Sequence, residues 1–147
     1  MPQIVTHTDI HAAAEDVWSV LTDFEQYDDW NPFVRSVEGR SNPGGQLEVL
    51  IAPPGGRAMT FRPEVLVRDE AREFRWLGRT RAAFIKLVDG EHYFQIEPIE
   101  PGRVRFTHGE RFTGLLASPM MWFVGGQTRR GFEAMNAALK ARVEQAA

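Results

Sequence analysis

Arg103-Val104-Arg105-Phe106-Thr107-His108-Gly109-Glu110-Arg111-Phe112 alternates in character, and that alternation decides the fold. In an extended strand, successive side chains point to opposite sides. Val104, Phe106, His108, Glu110 and Phe112 therefore share one face, and Arg103, Arg105, Thr107 and Arg111 share the other. The apolar face must meet a core, so His108 and Glu110 are carried inward with it. The stretch before it repeats the pattern: His92, Phe94 and Ile96 alternate with Glu91, Tyr93, Gln95 and Glu97. His92 is thus also expected to point inward, within reach of Glu110 across two antiparallel strands.

Working outward, strand character covers 33–39, 46–52, 59–67, 73–81, 84–97 and 103–112, separated by turn formers such as Ser41-Asn42-Pro43-Gly44-Gly45, Pro53-Pro54-Gly55-Gly56 and Glu100-Pro101-Gly102. Connections this short join antiparallel neighbours, since parallel pairs need long crossovers. Residues 3–10 form an opening strand, and Ala12 to Leu21 a helix with Val17, Trp18 and Leu21 on one face. A short second helix or turn ends at Asn31-Pro32. Ser118-Pro119 resembles a helix start, and Met121, Val124, Phe132, Met135, Leu139 and Val143 then recur to about residue 145. The expected fold is α+β: a curved antiparallel sheet of about seven strands around a long C-terminal helix, with two short helices after the first strand. No linker or repeat divides the chain, so 1–147 is expected to be a single domain.

Val17-Trp18-Ser19-Val20-Leu21-Thr22-Asp23-Phe24 with Tyr27 and Trp30-Asn31-Pro32, then Phe106 to Gly114 and the terminal amphipathic helix, resemble in their order the START and Bet v 1-like superfamily, also called SRPBCC, and within it the polyketide cyclase/dehydrase-like branch. The resemblance covers essentially the whole chain. It implies a helix-grip fold enclosing a cavity. It also implies a range of functions: binding of lipids, sterols, polyketides, plant hormones or aromatic compounds, cyclisation or dehydration in some members, and stress responses or chaperone partnership in others.

Composition narrows the classes. With 147 residues, 43% hydrophobic and 25% charged, the chain has the make-up of one ordinary globular domain. A net charge of -3 gives no reason to expect a nucleic-acid partner, and the arginines scatter over strand exteriors. Cysteine is absent, which removes disulfides and thiol catalysis and agrees with a cytoplasmic location. The N-terminus has no basic segment followed by an apolar one, and no stretch suits a membrane span, so integral membrane association is not expected. The four histidines are dispersed, with no His-x-x-x-His pattern, so no metal site is expected, nor any cofactor.

His92 and Glu110 are the candidate acid/base pair. A buried carboxylate costs several kcal/mol unless it is partnered, and a histidine meets that need. Such a pair either orients a polar group of a ligand, satisfies itself as structure, or transfers protons on a carbonyl or hydroxyl. The expected cavity lining comprises His108, Phe61, Phe74, Trp76, Phe94, Phe106 and Phe112 from the strands. From the C-terminal helix it takes Trp122, Thr128, Phe132, Met135 and Asn136, with Trp30 at the mouth. The apolar run Leu115, Leu116, Met120, Met121, Trp122 and Phe123 is expected to cover the cavity, with a homodimer or lipid contact as its other use. The preferred function is a carrier or sensor for a small hydrophobic or aromatic molecule, lipid or polyketide-like. The alternatives are a cofactor-independent cyclase, dehydratase or isomerase using His92 and Glu110, and a stress-response protein-interaction module.

Overall fold

Alternating side chains and tight turns fold most of the chain into strands, and the computed structural model describes residues 2–146. β1 (Gln3–Ile10) leads to α1 (Ala14–Thr22), a single 3-10 turn at Phe24–Gln26 and α2 (Tyr27–Trp30). β2 (Val34–Gly39), β3 (Leu47–Ile51), β4 (Met59–Phe61), β5 (Glu64–Asp69), β6 (Glu73–Ala82), β7 (Ile85–Glu100) and β8 (Arg103–Thr113) follow, and α3 (Ala117–Ala146) closes the chain. Five strands pair in the order β1-β8-β7-β6-β5 and three in the order β2-β3-β4. All pairs are antiparallel.

The segment 59–67 is not one strand. It breaks at Arg62-Pro63 into β4 and β5, because proline has no N–H to give to a ladder. The Gln46–Glu64 bridge joins the two sheets at this corner, with backbone bonds from Leu47 N–H to Pro63 O, Gly44 N–H to Val65 O and Val65 N–H to Gly45 O. The count is therefore eight strands in two sheets among the described residues, where the alternation suggested about seven in one. The helix start also differs. α3 begins at Ala117, and Pro119 lies inside its first turn, where a missing N–H costs nothing.

The turn before β2 holds itself in shape. The Tyr27 hydroxyl donates to the Leu21 carbonyl, and Asn31 Oδ1 accepts the backbone N–H groups of Phe33 and Val34 at 3.0 and 2.9 Å. Asn31 is extended, at ψ 112°, as the residue before a proline should be.

α3 is 30 residues, roughly 45 Å, long enough to cross the sheet. Its buried stripe, Gly125, Phe132, Met135, Leu139 and Val143, recurs at helical spacing and meets Phe94 and Phe106 of the sheet and Val17 and Leu21 of α1 in one core. Contact with β2 depends on a missing side chain: a Cβ at Gly131 would collide with the Phe33 ring, which also packs edge-on against Phe132 at 5.5 Å. Gly126, on the exposed side, would meet only the end of Arg130 at 3.7 Å.

These two glycines should respond oppositely to alanine. Gly131→Ala is expected to lower stability by about 1–3 kcal/mol through overpacking, and Gly126→Ala to raise it by up to about 1 kcal/mol through helix propensity. Urea unfolding of both variants checks this; equal effects would contradict the close seating of α3 on Phe33.

Candidate functional site

β7 and β8 pair so that His92 lies opposite Glu110 and Phe94 opposite His108. Their inward faces meet α3, and the polar side chains among them form a continuous chain. His92 Nε2 and His108 Nε2 are 2.7 Å apart, His108 Nδ1 and Asn136 Oδ1 are 3.0 Å apart, and Asn136 Nδ2 donates to Thr6 Oγ1 at 2.8 Å. Thr6 Oγ1 donates to the His108 carbonyl oxygen at 2.9 Å. At the other end, His92 Nδ1 stands 3.4 Å from Glu110 Oε1. Thr6, His92, His108 and Asn136 are all buried, and only Glu110 reaches outward, with 18% of its side chain exposed.

The proton positions follow from the partners. A carbonyl oxygen can only accept, so the Thr6 hydroxyl hydrogen goes to His108 O, and Thr6 Oγ1 must accept from the Asn136 amide. Asn136 therefore turns its oxygen to His108, whose Nδ1 carries the hydrogen and whose Nε2 accepts from His92 Nε2–H. His92 Nδ1 is left as the uncommitted ring atom, facing the Glu110 carboxyl. Burial holds the His108 pKa well below the ordinary histidine range, the neighbouring His92 pushes it further down, and the Asn136 hydrogen bond opposes both. His108 is accordingly a neutral strut, not a titrating member of the pair.

Aromatic rings fix the imidazoles laterally. Phe132 lies flat on His108, with centroids 4.0 Å apart and planes 8° apart, and Trp76 stacks on His92 at 5.0 Å. Beyond His92 the inner face of the sheet thins out. Gly78 and Gly90 face each other on β6 and β7. A Cβ at Gly90 would collide with Glu110 Oε2, so the carboxylate lies over that glycine. A Cβ at Gly78 would meet nothing nearer than the Gly90 carbonyl oxygen, at 3.9 Å. This side-chain-free step in the inner sheet is a shallow recess at Gly78, with the Glu110 carboxylate over Gly90 and the Phe112 ring beside it.

Of the residues expected to line a cavity, Phe74, Trp76, Phe94, Phe106, His108, Phe112, Phe132, Met135 and Asn136 are buried together, with His92. Phe94, Phe106, Phe132 and Met135 pack as core. Thr128 is half-buried on α3, and Trp30 is a half-buried part of the packed turn, edge-on to Tyr27 at 5.2 Å. Two residues are not inside. Phe61 is 43% exposed because β4 is a three-residue strand ending at the Pro63 break, and Trp122 is 83% exposed because it falls off the buried stripe of α3. Of the run expected to cover the interior, Met120 and Met121 are half-buried against the core, whereas Leu115, Leu116, Trp122 and Phe123 are exposed and do not cover it. Thr6, Gly78 and Gly90 escaped the sequence reading. Thr6 sits on the alternating face of β1 that also holds Ile4 and Ile10, a signal that could have found it.

Two outer grooves lie apart from Glu110. One, of about 420 Å³, runs between β1 and α3 past His7, Glu133, Lys140 and Glu144. The other, of about 650 Å³, is edged by Glu15, Asp69, Arg72, Glu73 and Glu97.

A family model described as polyketide cyclase / dehydrase and lipid transport matches residues 1–144. The chain belongs to that family. No curated protein is significantly similar in sequence. Among solved structures, a START superfamily protein from Mycobacterium smegmatis is 24% identical, with a TM-score of 0.73 and 99% of each chain covered. An aromatase/cyclase from a Streptomyces species is 16% identical at a TM-score of 0.77, covering 98% of this chain and 94% of its own. Norcoclaurine synthase from Thalictrum flavum is 15% identical at 0.73, covering 99% and 95%. These likenesses establish the START-type helix-grip fold for this polyketide cyclase/dehydrase and lipid transport family member.

The buried neutral His108 makes stability depend on acid. The unfolded chain takes up a proton at this histidine near pH ~6.5 and the folded chain does not, so stability falls as pH drops below that value, by about 1.4 kcal/mol per pH unit from this group. His108→Gln keeps hydrogen-bonding capacity without titrating. Its urea-unfolding free energy between neutral and mildly acidic pH is expected to decline less steeply than that of the unsubstituted protein, by that slope.

Proposed function

We propose that this protein binds a small hydrophobic or aromatic molecule bearing a hydroxyl or carbonyl group, as a carrier or sensor, with the ring seated in the recess and the polar group on Glu110 and His92. The observation that carries the reading is the partly exposed Glu110 carboxyl over Gly90, next to the only side-chain-free stretch of inner sheet described above. An apolar wall with a few convergent polar groups is what a small-molecule site requires. Family membership supports the ligand class, since its description joins polyketide cyclisation and lipid transport.

A second reading is favoured by the fixed tautomer of His92. Three polar side chains, Thr6, Asn136 and His108, set which of its nitrogens faces Glu110, more order than an anchoring contact needs. A cofactor-independent cyclase, dehydratase or isomerase would use the pair directly: it takes a proton from a carbon next to a carbonyl, or gives one to a departing hydroxyl, and is restored by the opposite transfer. The aromatase/cyclase of similar fold makes this chemistry reasonable to assay.

A naphthol and naphthalene separate the polar anchor from the apolar seat. Titration calorimetry is expected to show saturable binding of the naphthol at one site, weakened roughly tenfold in Glu110→Gln, with naphthalene binding unchanged by the same substitution. Equal loss for both compounds would mean that Glu110 shapes the site instead of receiving the hydroxyl, and absence of binding by either would sink the reading. If candidate cyclase substrates are turned over, His92→Ala should abolish turnover while leaving binding largely intact.

A further inference from the structure

Nine of the ten large hydrophobic side chains most exposed to solvent lie at one end of the molecule. Phe84, fully exposed, tips the β6–β7 hairpin next to Ile85, and its neighbour Ala83 is in the left-handed region at φ 54°. Leu115 and Leu116 are tied to the same hairpin, their N–H groups donating to the carbonyl oxygens of Lys86 and Leu87 at 3.3 and 2.8 Å. Trp122 and Phe123, 83% and 86% exposed, project from the first turns of α3. The β3–β4 loop joins them, with Gly56 packed against Gln127 of α3 and Phe61 and Met59 exposed just beyond. Monomeric proteins seldom leave so much contiguous apolar surface without a use.

The charge at this end is opposite to that of the rest. Segments 53–62, 78–89 and 114–130 hold seven Arg and Lys residues against Asp89 alone, a net +6, while the whole chain is -3 and the remainder therefore -9. Glu48 and Glu64 pair with Arg62 and Arg79 from neighbouring strands, and counting them the end keeps a net +4. Arg81 and Lys86 share Asp89, and Arg57 and Arg130 face solvent.

We infer that this end docks on an anionic lipid surface, with Phe84, Leu115, Trp122 and Phe123 entering the acyl boundary and the basic side chains meeting the headgroups. Apolar protrusions rimmed by Arg and Lys match an interface that is hydrocarbon below and negative above. A second copy of the chain fits worse, because a symmetric contact through this face would set each basic rim against its twin. Among the described residues no helix is long and apolar enough to cross a membrane, so the contact is interfacial. The recess over Gly78 and Gly90 lies on the strands that lead to this rim, so a docked molecule would present its open end to the lipid. Docking does not depend on which ligand Glu110 receives, and it is read on ligand-free protein.

Flotation of the full chain with vesicles tests the inference. Binding is expected to vesicles of phosphatidylcholine and phosphatidylglycerol in equal parts, and to weaken at high salt and on pure phosphatidylcholine. Trp122→Ser combined with Phe123→Ser should weaken binding roughly tenfold or more. Lys86→Glu combined with Arg130→Glu should remove the preference for the anionic vesicle. Circular dichroism melting confirms that both variants remain folded. Failure of the folded protein to float with either vesicle would overturn the proposal. So would unchanged flotation of the Trp122/Phe123 variant, or a dimer in light scattering that the same two substitutions dissolve. A protein that floats but takes up no naphthol would leave docking standing and remove the ligand reading; the converse result would do the reverse.

Discussion

Burying imidazoles in an apolar core forces every hydrogen-bonding atom on them to find a partner, and much of this fold is arranged around that demand. His108 lies under α3, fully buried. Its two ring nitrogens and its carbonyl oxygen are met by His92, Asn136 and Thr6, which come from β7, α3 and β1. The three elements are thereby registered to one another more narrowly than hydrophobic contact alone would do. Leu139 and Val143 would tolerate a small slide of the helix, whereas the Asn136 amide, bonded at both ends, would not. Losing any one member strands its neighbours in a medium where an unpaired polar group costs about 1–3 kcal/mol.

Because the chain of bonds is closed at the Thr6 end, its freedom is concentrated at the other. Every atom from Thr6 to His92 Nε2 has an assigned role, and the remaining ring nitrogen, His92 Nδ1, faces the Glu110 carboxyl, the one member of the chain that reaches outward. The same strands that deliver Glu110 there also carry the two facing glycines. A larger residue at position 90 would displace the carboxylate, and one at position 78 would fill the recess. Order in the interior and openness at the rim are therefore properties of the same pair of strands.

Much of this was legible in the residues. Strict alternation in 103–112 and 91–97 fixed the inward set, and the antiparallel register that short turns impose made a His92–Glu110 contact expected; it is found at 3.4 Å. The direct His92–His108 bond was not readable. In a flat sheet those two residues are diagonal neighbours, and only the rings of Phe132 and Trp76 pressing on either side bring their Nε2 atoms together. The break at Pro63 was available from the sequence, since a proline inside a strand-like run argues against continuity. Trp122 could have been placed outside by helical phase: a stripe through 125, 132, 135, 139 and 143 excludes it. Its apolar character drew it into the core, and that inference is reliable only when exposure has no use.

In the proposed docking, exposure has a use, and the contrast between the two ends of the molecule argues for it. The end bearing α2 and the β5–β6 turn exposes acidic and turn-forming side chains around a closed core, as a surface adapted to water does. The opposite end exposes Phe84 and Trp122 beside the open stretch of the inner sheet. An apolar ligand in water faces a barrier to leaving whichever phase holds it, and a protein that kept its entry far from its apolar surface would have to move that ligand across a polar rim. Placing the recess and the exposed hydrocarbon side chains on the same hairpin removes that step. The buried histidine network ties the middle of β7 and β8 to α3 and β1, and the hairpin and the first turns of α3, which carry the exposed apolar side chains, lie beyond it.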